Sequence, residues 1–332
     1  MLRILVTGGA GFIGTNLAIM LSHRGHEVIV LDAFAKEGSR TNAGILQKLP
    51  NVRILEHDLT RPLSNACMSD CIVHLAANVD ADKASRDPRW DLHVNAGGTL
   101  NILEYARSNG NIPIVYASTC KVYSSELNDL PLIERERRYE YANIEAIDES
   151  REIDARCRYG HSPYGCSKYA GEMYVQEYHT LFGLAVIINR MSTIYGPHQH
   201  GVKGYGWVHW FTAAIKQDLP ITIFGNGKQV RDVLHVDDLC RLLLKQVEEI
   251  DKHTGEIYNV GGGIANTLSL LELVDMLIEI KGKALREPPK YEEWRAADFK
   301  VYISDITKVS KKAHWHPEVS IKKGVERLWK EF

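Results

Sequence analysis

The stretch Thr7-Gly8-Gly9-Ala10-Gly11-Phe12-Ile13-Gly14 decides how the rest of the chain is read. It follows the apolar run Arg3–Thr7, which reads as a strand, and opens the amphipathic stretch Phe12–Arg24, which reads as a helix. Gly8 permits a tight turn, Gly11 lets the backbone approach a pyrophosphate, and Gly14 lets helix and strand pack closely. The helix start, with Phe12 and Ile13, offers unpaired N–H groups and a favourable dipole to phosphate oxygens. A glycine turn standing alone is more often only a turn. Here Asp32 ends the next strand-like run, eighteen residues after Gly14. A carboxylate at that place accepts both ribose hydroxyls of NAD and repels the extra phosphate of NADP. Lys36 and Arg40 on the following loop read as solvated charges, so the expected cofactor is NAD.

Working outward, the first half alternates strand-like and helical runs. The strand candidates are Arg3–Thr7, Glu27–Leu31, Arg53–Glu56, Cys71–Leu75, Ile112–Ala117 and Ala185–Arg190. Their near-continuous Val, Ile and Leu imply burial on both faces, hence a parallel sheet between helix layers. The expected fold is α/β, a doubly wound Rossmann domain. Pro88–Ser108 reads as one helix, opened by the Asp87 cap and a proline at the first helical position. Beyond Arg190, glycines and aromatics crowd 195–210. Short strands are expected near Ile221–Phe224 and Glu256–Val260, and helices at Val236–Glu249, Leu268–Ile280 and Ile321–Lys330. We therefore expect a Rossmann domain of residues 1–190 plus about 228–262, and a smaller α/β substrate lobe of about 191–227 plus 263–332.

Composition excludes other classes. Among 332 residues, 40 Lys and Arg oppose 42 Asp and Glu, leaving no bulk positive charge for nucleic acid. No apolar run approaches the roughly 20 residues of a membrane helix. The N-terminal apolar run reaches glycines too soon for a signal peptide. Cysteines at 67, 71, 120, 157, 166 and 240 form no C-x-x-C pair and suit a reducing cytoplasm, with neither disulfides nor a metal site.

Ser162-Pro163-Tyr164-Gly165-Cys166-Ser167-Lys168 holds the candidate chemistry. With Ser162 as cap and Pro163 opening a helix, Tyr164 and Lys168 lie one turn apart on one face. A nearby ammonium favours the phenolate and draws a phenol of pKa about 10 towards working pH. Tyrosinate can then take a proton from a sugar hydroxyl while hydride leaves the same carbon. A bare Tyr-x-x-x-Lys is more often a surface pair, but the glycine loop in the same chain reverses that. Thr119, with Ser118 beside it, supplies a hydroxyl at the end of the fifth strand. Further cofactor contacts are expected from Asp58 and Leu59 after the third strand, Leu75, Ala76 and Ala77 after the fourth, Asn95 on the following helix, and from Ser118, Tyr164 and Lys168 themselves.

The glycine loop, Asp32, Thr119 and Tyr164 with Lys168 resemble the extended short-chain dehydrogenase/reductase family of nucleotide-sugar epimerases and dehydratases. Arg190, Tyr195-Gly196-Pro197 and Arg231-Asp232 with His235-Val236-Asp237-Asp238 extend the likeness over nearly the whole chain. The segments 161–168, 225–235 and 268–273, the Gly206–Phe211 run and the long insert Ser125–Arg158 most resemble the CDP-paratose (CDP-tyvelose) 2-epimerase group. The resemblance implies tightly held, recycled NAD, a nucleotide-diphosphate sugar substrate, and oxidation to a keto sugar that is reduced again on its other face. It also implies a homodimer or homotetramer paired through Pro88–Ser108 and Pro163–Phe182. Arg231 and Arg295 are expected to grip the diphosphate, Asp298 to meet the ribose hydroxyls, and Gln199, Gln229 and Val208 to line the substrate cleft. Trp207 and Trp210 fit a base-stacking wall or the core equally well. In 4,6-dehydratases an Asp-Glu pair follows the threonine; Cys120-Lys121 here cannot supply that acid and base. Cys120, Ala33 and Phe299, the last standing where a Gln is usual, depart from the pattern of the family; they leave the NAD chemistry intact and the exact sugar open. A UDP-sugar 4-epimerase and, in another class, a catalytically silent NAD-binding regulator are the alternatives. His198, His200, His314 and His316 read as ordinary polar residues, with no metal expected.

Overall fold

The computed structural model describes residues 1–63, 67–153, 160–203, 205–295 and 298–332. Cys157, Ala296, Ala297 and the 154–158 end of the insert lie outside the described residues. The first strands are β1 (Arg3–Thr7), β2 (Glu27–Asp32), β3 (Val52–Glu56), β4 (Cys71–His74), β5 (Ile114–Thr119), β6 (Leu132–Glu134), β7 (Tyr139–Tyr141) and β8 (Val186–Met191). There follow β9 (Thr193–Tyr195), β10 (Thr222–Phe224), β11 (Val230–His235), β12 (Glu256–Val260), β13 (Thr267–Ser269), β14 (Lys290–Glu292) and β15 (Val301–Tyr302). Seven of them form one parallel sheet in the order β12-β8-β5-β4-β1-β2-β3. This is the expected doubly wound α/β architecture. Its strand order reverses between β1 and β4, which opens a crevice at their carboxyl ends.

Side chains alternate between the two faces, as the pleat requires. Val6, Val30 and Val73 enter one core with Leu17 and Leu21 of α1 (Phe12–His23). Their neighbours Leu5, Ile29 and Ile72 enter the opposite core. Each such side chain contributes about 1.5–3 kcal/mol by leaving water. The helices α2 (Ser39–Leu46), α3 (Ala81–Arg86), α4 (Pro88–Leu92), α5 (Gly98–Ser108), α6 (Ser162–Phe182), α7 (Trp207–Lys216) and α8 (Val236–Glu248) complete the named elements. Ile102 and Leu103 of α5 and Val175 of α6 cover the second face, and Leu239 and Leu243 of α8 the first.

A smaller set of strands lies beside this sheet. β11 pairs with β9, β13 and β15, and β10 with β14, around Phe211, Ile215, Ile223, Leu273 and Leu277. Through β12 the chain returns to the edge of the large sheet.

Three expectations need correction. Pro88–Ser108 is not one helix: a π turn at His93–Gly97 separates α4 from α5 and turns Asn95 into the interior. Leu268 and Ser269 belong to β13, whose pairing with β11 outweighs their helical pattern, and Ser269 caps the helix Leu270–Lys281 through a capping box with Glu272. The fifth strand begins two residues later than expected, because Pro113 has no N–H to donate.

The glycine loop is as tight as its sequence implies. Gly8 has φ of +64°, and a Cβ on Gly14 would lie 2.4 Å from the Gly8 carbonyl oxygen and 2.5 Å from Gly9 Cα. Gly14→Ala should therefore lower the denaturant midpoint by the equivalent of about 1–3 kcal/mol. Gly44→Ala is the control: it sits in α2 with nothing within 4 Å of the new Cβ, and should gain up to about 1 kcal/mol. Equal midpoints for the two variants would refute the close-approach reading.

Candidate active site

The crevice between β1 and β4 is built to receive a dinucleotide. Gly8 N–H donates to Leu31 O at 2.7 Å, clamping the loop onto β2, and a Cβ there would strike the Ala76 backbone at 2.8 Å. No side chain caps the α1 start and no acidic residue lies in its first turn, so its N–H groups and dipole suit an anion. The two oxygens of Asp32 accept from Ala10 N (3.1 Å) and Phe34 N (2.8 Å), and burial pushes its carboxyl upward from the ordinary value. Those bonds fix the carboxylate at the mouth of the loop, and each oxygen keeps a lone pair for a hydroxyl. The residues fit NAD. Lys36 lies over the Tyr205 ring at 5.0 Å, and Arg40 pairs with Glu56 at 3.2 Å.

The other expected cofactor residues divide. Phe12, Ile13, Leu75, Ala76 and Ala77 are half-buried around the crevice, and Ala76 N–H is held by the Thr7 hydroxyl. Asp58 is exposed and accepts from Thr60 N, whereas Leu59 is core. Asn95 points inward: it donates to Asn78 O, Asp91 Oδ1 and Ser167 Oγ and accepts from Asn78 N. Its amide is spent inside the protein, which makes it a brace between the π turn and α6.

At the start of α6 the Ser162 hydroxyl accepts the Gly165 N–H at 3.3 Å, a capping bond, and Pro163 follows. Tyr164 is half-buried and hydrogen-bonded to Thr119 at the end of β5. Lys168 is buried, with its ammonium 4.4 Å from the centre of the Tyr116 ring. The expected lowering of the phenol is not met in the protein alone. Burial raises the Tyr164 phenol above its ordinary value and outweighs the Thr119 hydrogen bond. Burial likewise drops Lys168 to about 7, against the pull of Glu172 and Asp91.

Sequence reading missed Glu172, four residues beyond Lys168 on the same helix; that spacing was the available signal. Glu172 is fully buried and accepts from Ser118 Oγ at 2.5 Å and from Arg190 Nε and Nη2 at 3.0 and 2.6 Å. The Ser118 hydroxyl, expected at the cofactor, donates to Glu172. Asp91 was missed too; it accepts from Asn78, Asn95 and Ser167. Asn42 also escaped notice. Its amide donates to Ala10 O and His198 O and meets His200 Nε2, tying the glycine loop to the second lobe.

On the substrate side, Arg231 Nη2 (2.6 Å) and Lys121 Nζ (3.0 Å) converge on Asp298 Oδ1. Burial alone would raise Asp298, but the Lys121 and Arg231 charges hold its carboxyl well below the usual range. Arg295 lies apart from this group, 4.0 Å over the Phe224 ring and 3.3 Å from Asp82 of α3. Gln199 and Gln229 are buried; their Nε2 atoms donate to Ile194 O and Phe224 O, and neither Oε1 has a partner among the described residues. Val208 is core, packed with Phe211 and Ile215, so its side chain is not a cleft wall; Trp207 and Trp210 pack against that same core. Among the described residues no three His, Cys, Asp or Glu side chains gather as a metal site.

A glycine loop opening a helix, a carboxylate at its mouth and a Tyr–Lys–Thr group, all at the carboxyl ends of the parallel strands, form a site whose geometry suits a dinucleotide-dependent enzyme. Residues 4–261 match the NAD dependent epimerase/dehydratase family, and the chain belongs to it. It is an enzyme of the isomerase class, and its cofactor is NAD. CDP-paratose 2-epimerase of Salmonella typhi is 38% identical over 341 aligned positions, covering 99% of this chain and 98% of that protein. A putative UDP-glucose 4-epimerase of Methanocaldococcus jannaschii is 30% identical, covering 98% and 96%. The crystal structure of UDP-glucuronic acid 4-epimerase from Bacillus cereus, in complex with UDP-glucuronic acid and NAD, superposes with a TM-score of 0.83. It is 26% identical and covers 99% of this chain and 98% of its own.

Glu172→Gln keeps an acceptor for Ser118 but removes the charge that supports the Lys168 ammonium. The lysine should then lose its proton at a lower pH than the wild-type value of about 7. The alkaline limb of kcat/KM should move down by about one pH unit. An unmoved limb in a folded variant would show that Glu172 does not set the charge of Lys168.

Proposed function

We propose that the protein is a nucleotide-sugar epimerase that inverts carbon 2 of a CDP-linked hexose of the CDP-paratose or CDP-glucose type. The observation that supports this most is the turn after Thr119. There Cys120 is buried and Lys121 is ion-paired to Asp298, so no carboxylic acid stands where elimination of water needs one. The 38% identity to CDP-paratose 2-epimerase favours the cytidine nucleotide and carbon 2. When bound, NAD supplies a hydride acceptor for the oxidation and the donor for its reversal. Tyr164 takes the proton of the sugar hydroxyl as hydride leaves the same carbon, leaving a ketone. It returns the proton when hydride comes back to the opposite face. Thr119 hydrogen-bonds the reacting oxygen, and the Lys168 ammonium opposes the cost of burying a phenolate.

In this reading residues 1–190 with about 228–262 hold NAD, tightly and for many turnovers. Residues 191–227 and 263–332 hold the nucleotide sugar, and Arg295 from this part and Arg231 from the NAD-holding part lie towards the diphosphate. Pairing of subunits along α4, α5 and α6 is supported by the exposed Leu92, Met173, Tyr174 and Leu181 on those helices. A cytoplasmic site of action is supported by the unpaired cysteines. No helix of the described residues is long and apolar enough to cross a membrane.

A UDP-sugar 4-epimerase is the second reading, favoured by the 30% identity to the putative UDP-glucose 4-epimerase. Incubation with CDP-glucose and UDP-glucose, followed by NMR of the products, separates the two. The leading reading expects the manno epimer from the CDP-sugar; galactose from the UDP-sugar, with CDP-glucose untouched, would overturn it. Tyr164→Phe should cut turnover by about 10²–10⁴ while retaining bound NAD. Unchanged turnover would remove Tyr164 from the chemistry, and a wild type inert on both sugars would overturn both substrate readings.

A further inference from the structure

We propose that Lys121 is a positioning residue that aims Asp298 at the nucleotide of the substrate and thereby sets nucleotide affinity. The inference rests on the nucleotide-sugar reading above and identifies how that site is held open for its ligand. Lys121 lies on the short turn Cys120–Val122 directly after β5. Its backbone N–H donates to Thr119 Oγ1 at 3.2 Å, while its ammonium reaches Asp298 Oδ1 at 3.0 Å. One residue therefore touches both the Thr119 hydroxyl and a carboxylate 177 positions further along the chain.

The carboxylate is asymmetrically loaded. Oδ1 accepts from Lys121 Nζ, from Arg231 Nη2 at 2.6 Å and from Phe299 N at 3.0 Å. Asn128 Nδ2 holds the Asp298 carbonyl at 2.8 Å, so the backbone of this residue is fixed as well. Three donors on one oxygen leave Oδ2, which has no hydrogen-bond partner among the described residues, as the acceptor for a ligand hydroxyl. Below the cluster is Phe299, with the Lys121 ammonium 4.1 Å and the Arg231 guanidinium 5.8 Å from its ring centre. A glutamine side chain at 299 would bring a competing donor and acceptor; the phenyl ring instead offers its negative face to both cations. Two cations on one carboxylate leave a net positive charge, which suits a nucleoside diphosphate. Lys121 thus acts through Asp298, and its hold on Thr119 is a backbone bond that survives substitution of the side chain.

The test measures binding of CDP and UDP by calorimetry to the NAD-loaded protein, together with steady-state kinetics. Lys121→Met should weaken nucleotide binding and raise KM about tenfold, with kcat reduced less than threefold. Lys121→Arg, which keeps a cation, should return affinity to within threefold of wild type. Asp298→Asn alone should lose as much as Lys121→Met, and the double variant should bind within twofold of Asp298→Asn alone. Multiplying losses in the double variant would mean that Lys121 touches the ligand directly, and would overturn the proposal. So would unchanged affinity in a folded Lys121→Met protein; Lys121→Gln replaces it if the methionine variant does not fold. Failure of the wild type to bind either nucleotide would instead defeat the nucleotide-sugar reading itself.

Discussion

The buried carboxylate of Glu172 is the constraint on which the catalytic geometry depends. It joins three elements: β5 through Ser118, β8 through Arg190 and its own helix α6, where Lys168 lies one turn earlier. Arg190 continues the chain of contacts to Tyr123, whose hydroxyl donates to Asn259 on β12. Burying both charges is expensive, and such a pair is tolerated only when its geometry leaves little unsatisfied. Here two guanidinium bonds and a serine hydroxyl meet that condition. Removing one partner from such a pair costs about 3–5 kcal/mol, because the other is left charged in the interior. The return is orientation: α6 lies against β5 so that Tyr164 meets Thr119.

A second network braces the same strand ends from the cofactor side. Asp91 gathers Asn78, Asn95 and Ser167, and His74 links Thr7 to Thr99. His74 is pushed down to about 3 by burial and stays neutral, so it serves as a hydrogen-bonding post with no charge. Each polar atom here is paired within the protein, which holds the crevice rigid before any ligand arrives. The substrate side is arranged differently. Among the described residues Asp298 Oδ2 and the Oε1 atoms of the two glutamines have no hydrogen-bond partner, which suits that side of the cleft to a changing partner.

Much of the large domain was legible because its signals are local. The glycine loop, the strand runs and the Tyr164–Lys168 spacing each depend on a few neighbouring residues, and β1 and β12 fall on their expected limits. Thr119 was legible as well, since it ends a strand. The helix Pro88–Ser108 was misread because a π turn adds one residue per turn without leaving a compositional mark. Asn95 was placed on the cofactor for the same reason: its register on an unbroken helix is not its register on this one. Val208 was set in the cleft by its motif, although its side chain belongs to the lobe core.

The sequence by itself determined the class of fold, the cofactor and the residue types available for proton transfer. Those follow from periodicity and from short motifs whose atoms are covalently near one another. Only the tertiary structure decided which polar and charged groups meet. Lys121 and Asp298, Ser118 and Glu172, and Asn42 and His198 are joined across 177, 54 and 156 positions. Such pairings depend on where a crossover helix returns its strand and on which side chains burial leaves unsolvated, and no local pattern encodes either. Burial also set the charge states. It held the Tyr164 phenol up and drew Lys168 down, whereas the bare spacing of the two residues implied the opposite for the phenol.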